Sequence, residues 1–188
     1  MVSADSVSIT GTTFTKSSSA DGIVLYAEGA TGAVFTITNI QVDSIAYNNT
    51  KAEVINMNYG TVTMTGSTFS NIAAGLLTCT NMAGTFTGLT ISDITCSGAT
   101  GGSCLIASTA STITFSDSTI TDITSNVDIM GFKSTTTVAL SKLTISNLKN
   151  TITKATQLFI IGAYKVTAFS LDGSKLTQSE FSGLNSTS

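Results

Sequence analysis

The 188-residue chain has no proline, no tryptophan and no histidine, and because all eight basic residues are lysine it has no arginine either. Without histidine there is no ordinary base to activate a serine or cysteine nucleophile, and the commonest nitrogen ligand of metal centres is missing. Charged residues are only 10% of the chain and sum to −3. Lys16, Lys51, Lys133, Lys142, Lys149, Lys154, Lys165 and Lys175 are scattered rather than clustered, so there is no electrostatic footprint for nucleic acid. No apolar run is long enough for a membrane-spanning helix. The stretch Met1 to Asp5 has neither the charged nor the apolar part of an export signal. The expectation is that such a signal has been removed or that this is a piece of a longer chain.

What is present is apolar and hydroxylated. Hydrophobic residues make up 41% and the mean hydropathy is +0.35, which excludes a disordered tail. Serine and threonine supply about a third of the letters, so the surface must be hydroxyl rather than ionic. Of the three cysteines, Cys96 and Cys104 bracket the small-residue loop 97–103, which allows their side chains to meet in a disulfide. Cys79 lies in the apolar stretch 76–79 and reads as a small buried hydrophobe. No CxxC spacing supports a metal site, and no cofactor is expected.

One eleven-residue phrase recurs seven times: an apolar residue, a second at plus two, a third at plus seven and usually a fourth at plus ten. Its copies begin at Val7, Phe35, Val62, Gly84, Ile113, Val138 and Phe169, at intervals of 28, 27, 22, 29, 25 and 31 residues. A constant phrase with variable spacers is the mark of a solenoid. Within it apolar residues alternate with hydroxyls, as in Thr61 to Thr65 and Thr112 to Ser116, which predicts half-buried strands. Plus four is Gly11, Asn39, Gly66, Gly88, Asp117, Lys142 and Gly173, mostly types that tolerate a left-handed bend. Plus nine, with Lys16, Ser44, Asn71, Asp93, Asp122, Asn147 and Gln178, reads as a second turn whose Asn and Asp side chains can hydrogen-bond up the stack. A further apolar run before each new phrase, such as Val54 to Met57 or Leu76 and Leu77, supplies a third strand. The predicted fold is all-β: a right-handed parallel β-helix of about seven coils of 22–31 residues, three short strands per coil. Rungs spaced 4.7–4.9 Å would make a column of roughly 33 Å.

This repeat resembles the right-handed parallel β-helix of the pectin-lyase-like superfamily. It is most similar to the degenerate, non-enzymatic repeats of long extracellular surface proteins. An active pectate or pectin lyase of that superfamily would be expected to carry an Arg or Lys base beside calcium-binding acids, and a pectin hydrolase a group of Asp residues on one strand face. This chain has no Arg, and its lysines lack a neighbouring acidic cluster. Of its eight Asp residues only Asp93 and Asp122 share a repeat position. A calcium ion could bridge that pair, but a ladder of turn residues is the plainer reading, and an enzyme is not expected.

The hydroxyls align instead. Plus one gives Thr36, Thr63, Thr85 and Thr114, and plus three gives Thr38, Thr65 and Thr87, two files on one outer face. Plus six and plus eight repeat the theme on the second strand. A β-helix face tiled by Thr-x-Thr resembles those of ice-binding proteins, whereas β-branched Thr is also simply a good exposed-strand residue. Sequons at Asn48 and Asn185 are candidate N-glycosylation sites. Together with low charge they favour an extracellular or cell-surface address. Residues 1–188 are read as one domain, a segment of a longer chain or of an end-to-end assembly, because neither end carries an amphipathic helix or charged cap. The expected role is a non-catalytic structural rod in a fibre, appendage or surface coat. Its expected partners are copies of itself and, through the hydroxyls, glycans. An ice-binding, glycan-binding or adhesion module is the alternative, and a polysaccharide-degrading enzyme the third.

Overall fold

A computed structural model describes residues 6–15, 18–19, 24–29, 32–47, 53–96, 103–134, 137–150, 161–177 and 180–181. Among them there is no helix; every strand pairing is parallel, in sheets of 11 and nine strands. The chain is a parallel β-solenoid. Each copy of the phrase forms one rung.

The phrase fixes the register. The first strands stack Val7 on Phe35, Val62, Gly84, Ile113, Val138 and Phe169, rung by rung. The second strands stack Phe14 on Val42, Phe69, Ile91, Ile120, Ile145 and Leu176. The third strands stack Leu25 on Ile55, Leu77, Ile106, Met130 and Ile161. A slip of one residue would turn every apolar side chain outward, so burial enforces this alignment.

Left-handed residues make the corners. All seven plus-four residues have positive φ, from 50° at Asp117 and Lys142 to 64° at Gly88. Ser44, Asn71, Asp93, Asp122 and Asn147 at plus nine have φ of 52–57°, while Lys16 and Gln178 lie outside the described residues. A third corner, not expected from the phrase, runs through Gly32, Tyr59, Asn81, Ala110, Ser134 and Lys165, also at positive φ. Tyr, Ala and Lys have no intrinsic preference for that region; at Ala110 the backbone N–H donates to the Lys133 carbonyl of the next rung at 3.0 Å.

Three short strands per coil hold elsewhere, as in Ile106–Thr109, Thr112–Ser116 and Thr119–Ser125, but two turns depart from that pattern at this corner. Glu53–Thr65 and Gly75–Thr87 are single 13-residue strands in which the third strand of one turn runs on into the first strand of the next. A left-handed kink, at Tyr59 and Gly60 in the first and at Asn81 in the second, turns the chain without ending the strand. The coil count is also corrected: seven rungs stack, but about five turns are closed around a buried core. In the first rung Val7, Ile9 and Phe14 are only partly buried, and in the last Phe169 and Leu171 are exposed.

The core is a column of fully buried side chains, with Phe69, Phe86, Phe115 and Phe132 the largest. The rings of Phe86 and Phe115 meet edge to face, with centroids 6.4 Å apart. Gly84, which stands at an apolar phrase position, is explained by its neighbours. A Cβ there would lie 2.7 Å from the Phe86 ring and 3.1 Å from Ile113 Cδ1, so the missing side chain makes room for Phe86.

A buried serine ladder lies just past the first corner. At plus five the rungs from the second onward read Ile40, Ser67, Leu89, Ser118, Leu143 and Ser174. The N–H of Ile40 donates to Ser67 Oγ (3.3 Å), that of Leu89 to Ser118 Oγ (3.0 Å) and that of Leu143 to Ser174 Oγ (3.2 Å). Ser67 and Ser118 donate in turn to the carbonyls of Thr65 and Ser116. Each serine thus satisfies an apolar neighbour's backbone N–H that the turn of the chain leaves without a ladder partner. Ser118→Ala is expected to lower stability by about 1–3 kcal/mol, because it strands the Leu89 N–H in the core. Urea titration of the variant against the parent checks this, and an unchanged midpoint would show the serine to be dispensable.

Candidate functional site

Outward positions on the same strands form the walls. The structure brings Thr36, Thr63, Thr85 and Thr114 into one file and Thr38, Thr65, Thr87, Ser116 and Ser141 into a second. Thr36 and Thr85 are exposed; Thr38, Thr63, Thr65, Thr87 and Thr114 are half-buried against their stacked neighbours. Hydroxyls bond along the file, Thr65 Oγ1 to Thr38 Oγ1 at 3.5 Å and Thr87 Oγ1 with Ser116 Oγ at 3.2 Å. Two files on alternate residues of one sheet face repeat about every 4.8 Å along the axis and about 6.7 Å across it, a grid of methyls and hydroxyls. Ala139 interrupts the plus-one file on the sixth rung.

The second wall is less uniform. Thr68, Thr90, Thr119 and Thr144 align, but Asp43 replaces a hydroxyl beside Ser70. Ser70 Oγ, Asn71 Nδ2 and Ser44 Oγ all donate to the Asp43 carboxylate, at 2.7, 2.8 and 2.7 Å. These bonds stabilise the ionised form and bring its pKa down from the ordinary carboxylate range to about 2. Their contribution is complete above the ordinary carboxylate pKa and is lost as the pH falls towards 2.

Beside this wall runs an open trough of about 650 Å³, lined on one side by Asn71, Asp93, Asp122 and Asn147 and on the other by Ala73, Thr95, Thr124 and Lys149. The first set is the plus-nine corner, the second the plus-eleven column, which the sequence reading did not follow. Asn147 Nδ2 donates to Asp122 Oδ1 at 3.0 Å and Thr121 Oγ1 to Asp122 Oδ2 at 2.9 Å, so the expected stacking of Asn on Asp is present here. Asp93 and Asp122 do occupy neighbouring rungs. Among the described residues no group of three or more His, Cys, Asp or Glu side chains gathers where a metal could bind. At the first corner Lys142 Nζ lies 3.6 Å from Asp117 Oδ1 on the adjacent rung, an exposed pair of little energetic weight.

Cys96 and Cys104 are joined in a disulfide with Cα atoms 5.7 Å apart. Cys79 is fully buried, and burial pushes its thiol up to about 12, far from a reactive thiolate. Asn48 and Asn185 both lie outside the described residues, as do most of the loops around them. Among the described residues no helix is long and apolar enough to cross a membrane. No protein-family model, curated protein or solved structure matches this chain.

Proposed function

We propose that this chain is a structural segment of an extracellular fibre, appendage or surface coat, a stiff non-catalytic rod whose hydroxyl walls face solvent and whose rungs continue end to end. The observation that carries the reading is the stack itself: the rungs pair in parallel and in one register around a continuous buried column, and hydroxyl files line their outward positions. The Cys96–Cys104 disulfide supports an oxidising, extracellular compartment. The finer assignment, to the right-handed helices of the pectin-lyase-like superfamily, belongs to the same proposal and rests on the phrase and its three-cornered coil. Candidate N-glycans at Asn48 and Asn185 would suit such a surface.

Negative-stain electron microscopy and sedimentation of the purified chain test the proposal. Rods that lengthen with concentration are expected; monodisperse monomers at all concentrations would refute it.

The aligned Thr files favour a second reading, in which the first wall binds ice or glycans. Thermal hysteresis of a concentrated solution tests its ice-binding form, and a freezing point equal to the melting point would remove it.

A further inference from the structure

The third corner holds an exposed aromatic where the backbone least favours one. Tyr59 has φ 62° and the next residue, Gly60, φ 87°. Bulky side chains enter that region only at a steric cost, and such outliers cluster where a side chain serves a ligand. Tyr59 is the only aromatic at positive φ among the described residues. Core packing does not account for it, since Tyr59 is 44% exposed. Of the other tyrosines whose side chains are described, Tyr26 donates its hydroxyl to Glu28 at 3.0 Å, and the Tyr164 ring lies 5.4 Å from the Lys165 ammonium. Tyr59 has neither kind of partner among the described residues.

Tyr59 lines an open depression of about 320 Å³ at this corner. Gly32 precedes Tyr59 in the corner column and Ala110 follows Asn81, so the two larger side chains have bare backbone on one side and a methyl on the other. The Asn81 carboxamide and the Thr61 and Thr112 hydroxyls are exposed in the depression and make no hydrogen bond among the described residues. Val34, also 44% exposed, stands in register with Thr61 and places a second apolar side chain one rung away. No charged residue lines the depression.

We propose that this depression binds a neutral sugar, one pyranose residue of a glycan, with Tyr59 as its platform. A pyranose has an apolar face of C–H groups and a rim of hydroxyls. The exposed Tyr59 ring takes the face. The Asn81 carboxamide, which both donates and accepts, takes adjacent hydroxyls together with Thr61 and Thr112. An apolar peptide side chain in the same place would leave those polar groups unpaired. Without a lining cation, an acidic or phosphorylated sugar would lose hydration for no ionic contact, so the site prefers uncharged rings. The volume lies at the lower end for small-molecule sites, which suits one ring rather than a long stretch of polymer. The site sits at the corner, apart from the plus-one and plus-three Thr files, and does not depend on either reading given above.

Calorimetric titration of the parent chain with maltohexaose, cellohexaose and chitohexaose, and with hexagalacturonate as the acidic comparison, tests this. At least one neutral oligosaccharide is expected to bind with a Kd of roughly 1 mM or tighter, and hexagalacturonate about tenfold more weakly or not at all. Tyr59→Phe should keep the affinity within about threefold, and Tyr59→Asn should lower it roughly tenfold or more. Asparagine accepts the left-handed backbone that tyrosine resists, so Tyr59→Asn should leave Tm unchanged or raise it, which separates lost binding from lost folding. Binding that survives Tyr59→Asn, or that is lost instead in Thr65→Val/Thr87→Val on the first wall, would overturn the proposal. So would a parent chain that binds none of the neutral oligosaccharides or prefers hexagalacturonate.

Discussion

Phe115→Asp is expected to abolish cooperative folding of the central rungs, with a loss of at least about 5 kcal/mol. Phe115 is fully buried, stacked between Phe86 and Leu140 on the rungs either side and in edge-to-face contact with the Phe86 ring. Removing a buried phenylalanine costs about 3–5 kcal/mol through lost transfer energy and the cavity left behind. The carboxylate then has no partner in an apolar column, so it either stays charged at several kcal/mol or is protonated at the expense of its own pKa. In a solenoid the damage spreads to both neighbouring interfaces, because each rung is held by the rungs beside it. Circular dichroism should show a lost or strongly broadened thermal transition. The adjacent outward variant Thr114→Val is the control. It keeps a β-branched residue on a half-buried wall position and should shift stability by less than about 0.5 kcal/mol. A sharp, parent-like transition for Phe115→Asp would disprove the stacked core.

The second large effect belongs to the disulfide. Cys96 closes the second strand of the fourth rung and Cys104 opens the way to the third strand, with eight residues of sequence separation. A cross-link over so short a loop is expected to be worth about 2.5 kcal/mol through the chain entropy that it removes from the unfolded state. Both half-cystines are themselves buried, Cys104 completely, so the bridge also packs into the core. Cys96→Ala/Cys104→Ala should therefore lower Tm by about 5–10 °C in a scan without reductant. Adding reductant should bring the parent towards the variant and leave the variant unmoved, since the remaining thiol, Cys79, is buried. Equal transitions for parent and variant would show that the bridge contributes nothing.

Much of the fold was legible because the phrase encodes it redundantly. Period-two alternation gives strands, Gly, Asn and Asp give the first two corners, and the constant spacing of both gives the register. The serine ladder was present in the letters at plus five, yet alternation of Ser with Ile or Leu looks like noise until the rungs are stacked. The third corner was hard to read, because of its residues only Gly32 and Asn81 favour a left-handed backbone while Tyr59, Ala110 and Lys165 do not. Of the candidate surfaces, the Thr files followed directly from periodicity. The trough did not, since it arises where the plus-nine corner and the plus-eleven column of several rungs lie side by side.

The sequence by itself determined the all-β solenoid, the pairing of each rung with the next, the hydroxyl files and the loop that Cys96 and Cys104 close. These follow from local periodicity and the burial of one strand face. Only the tertiary structure decided that two turns run through their third corner as continuous strands and that about five turns are closed. Those outcomes depend on which backbone groups and side chains lie on the neighbouring rung. A residue 22 to 31 positions away in the chain settles them.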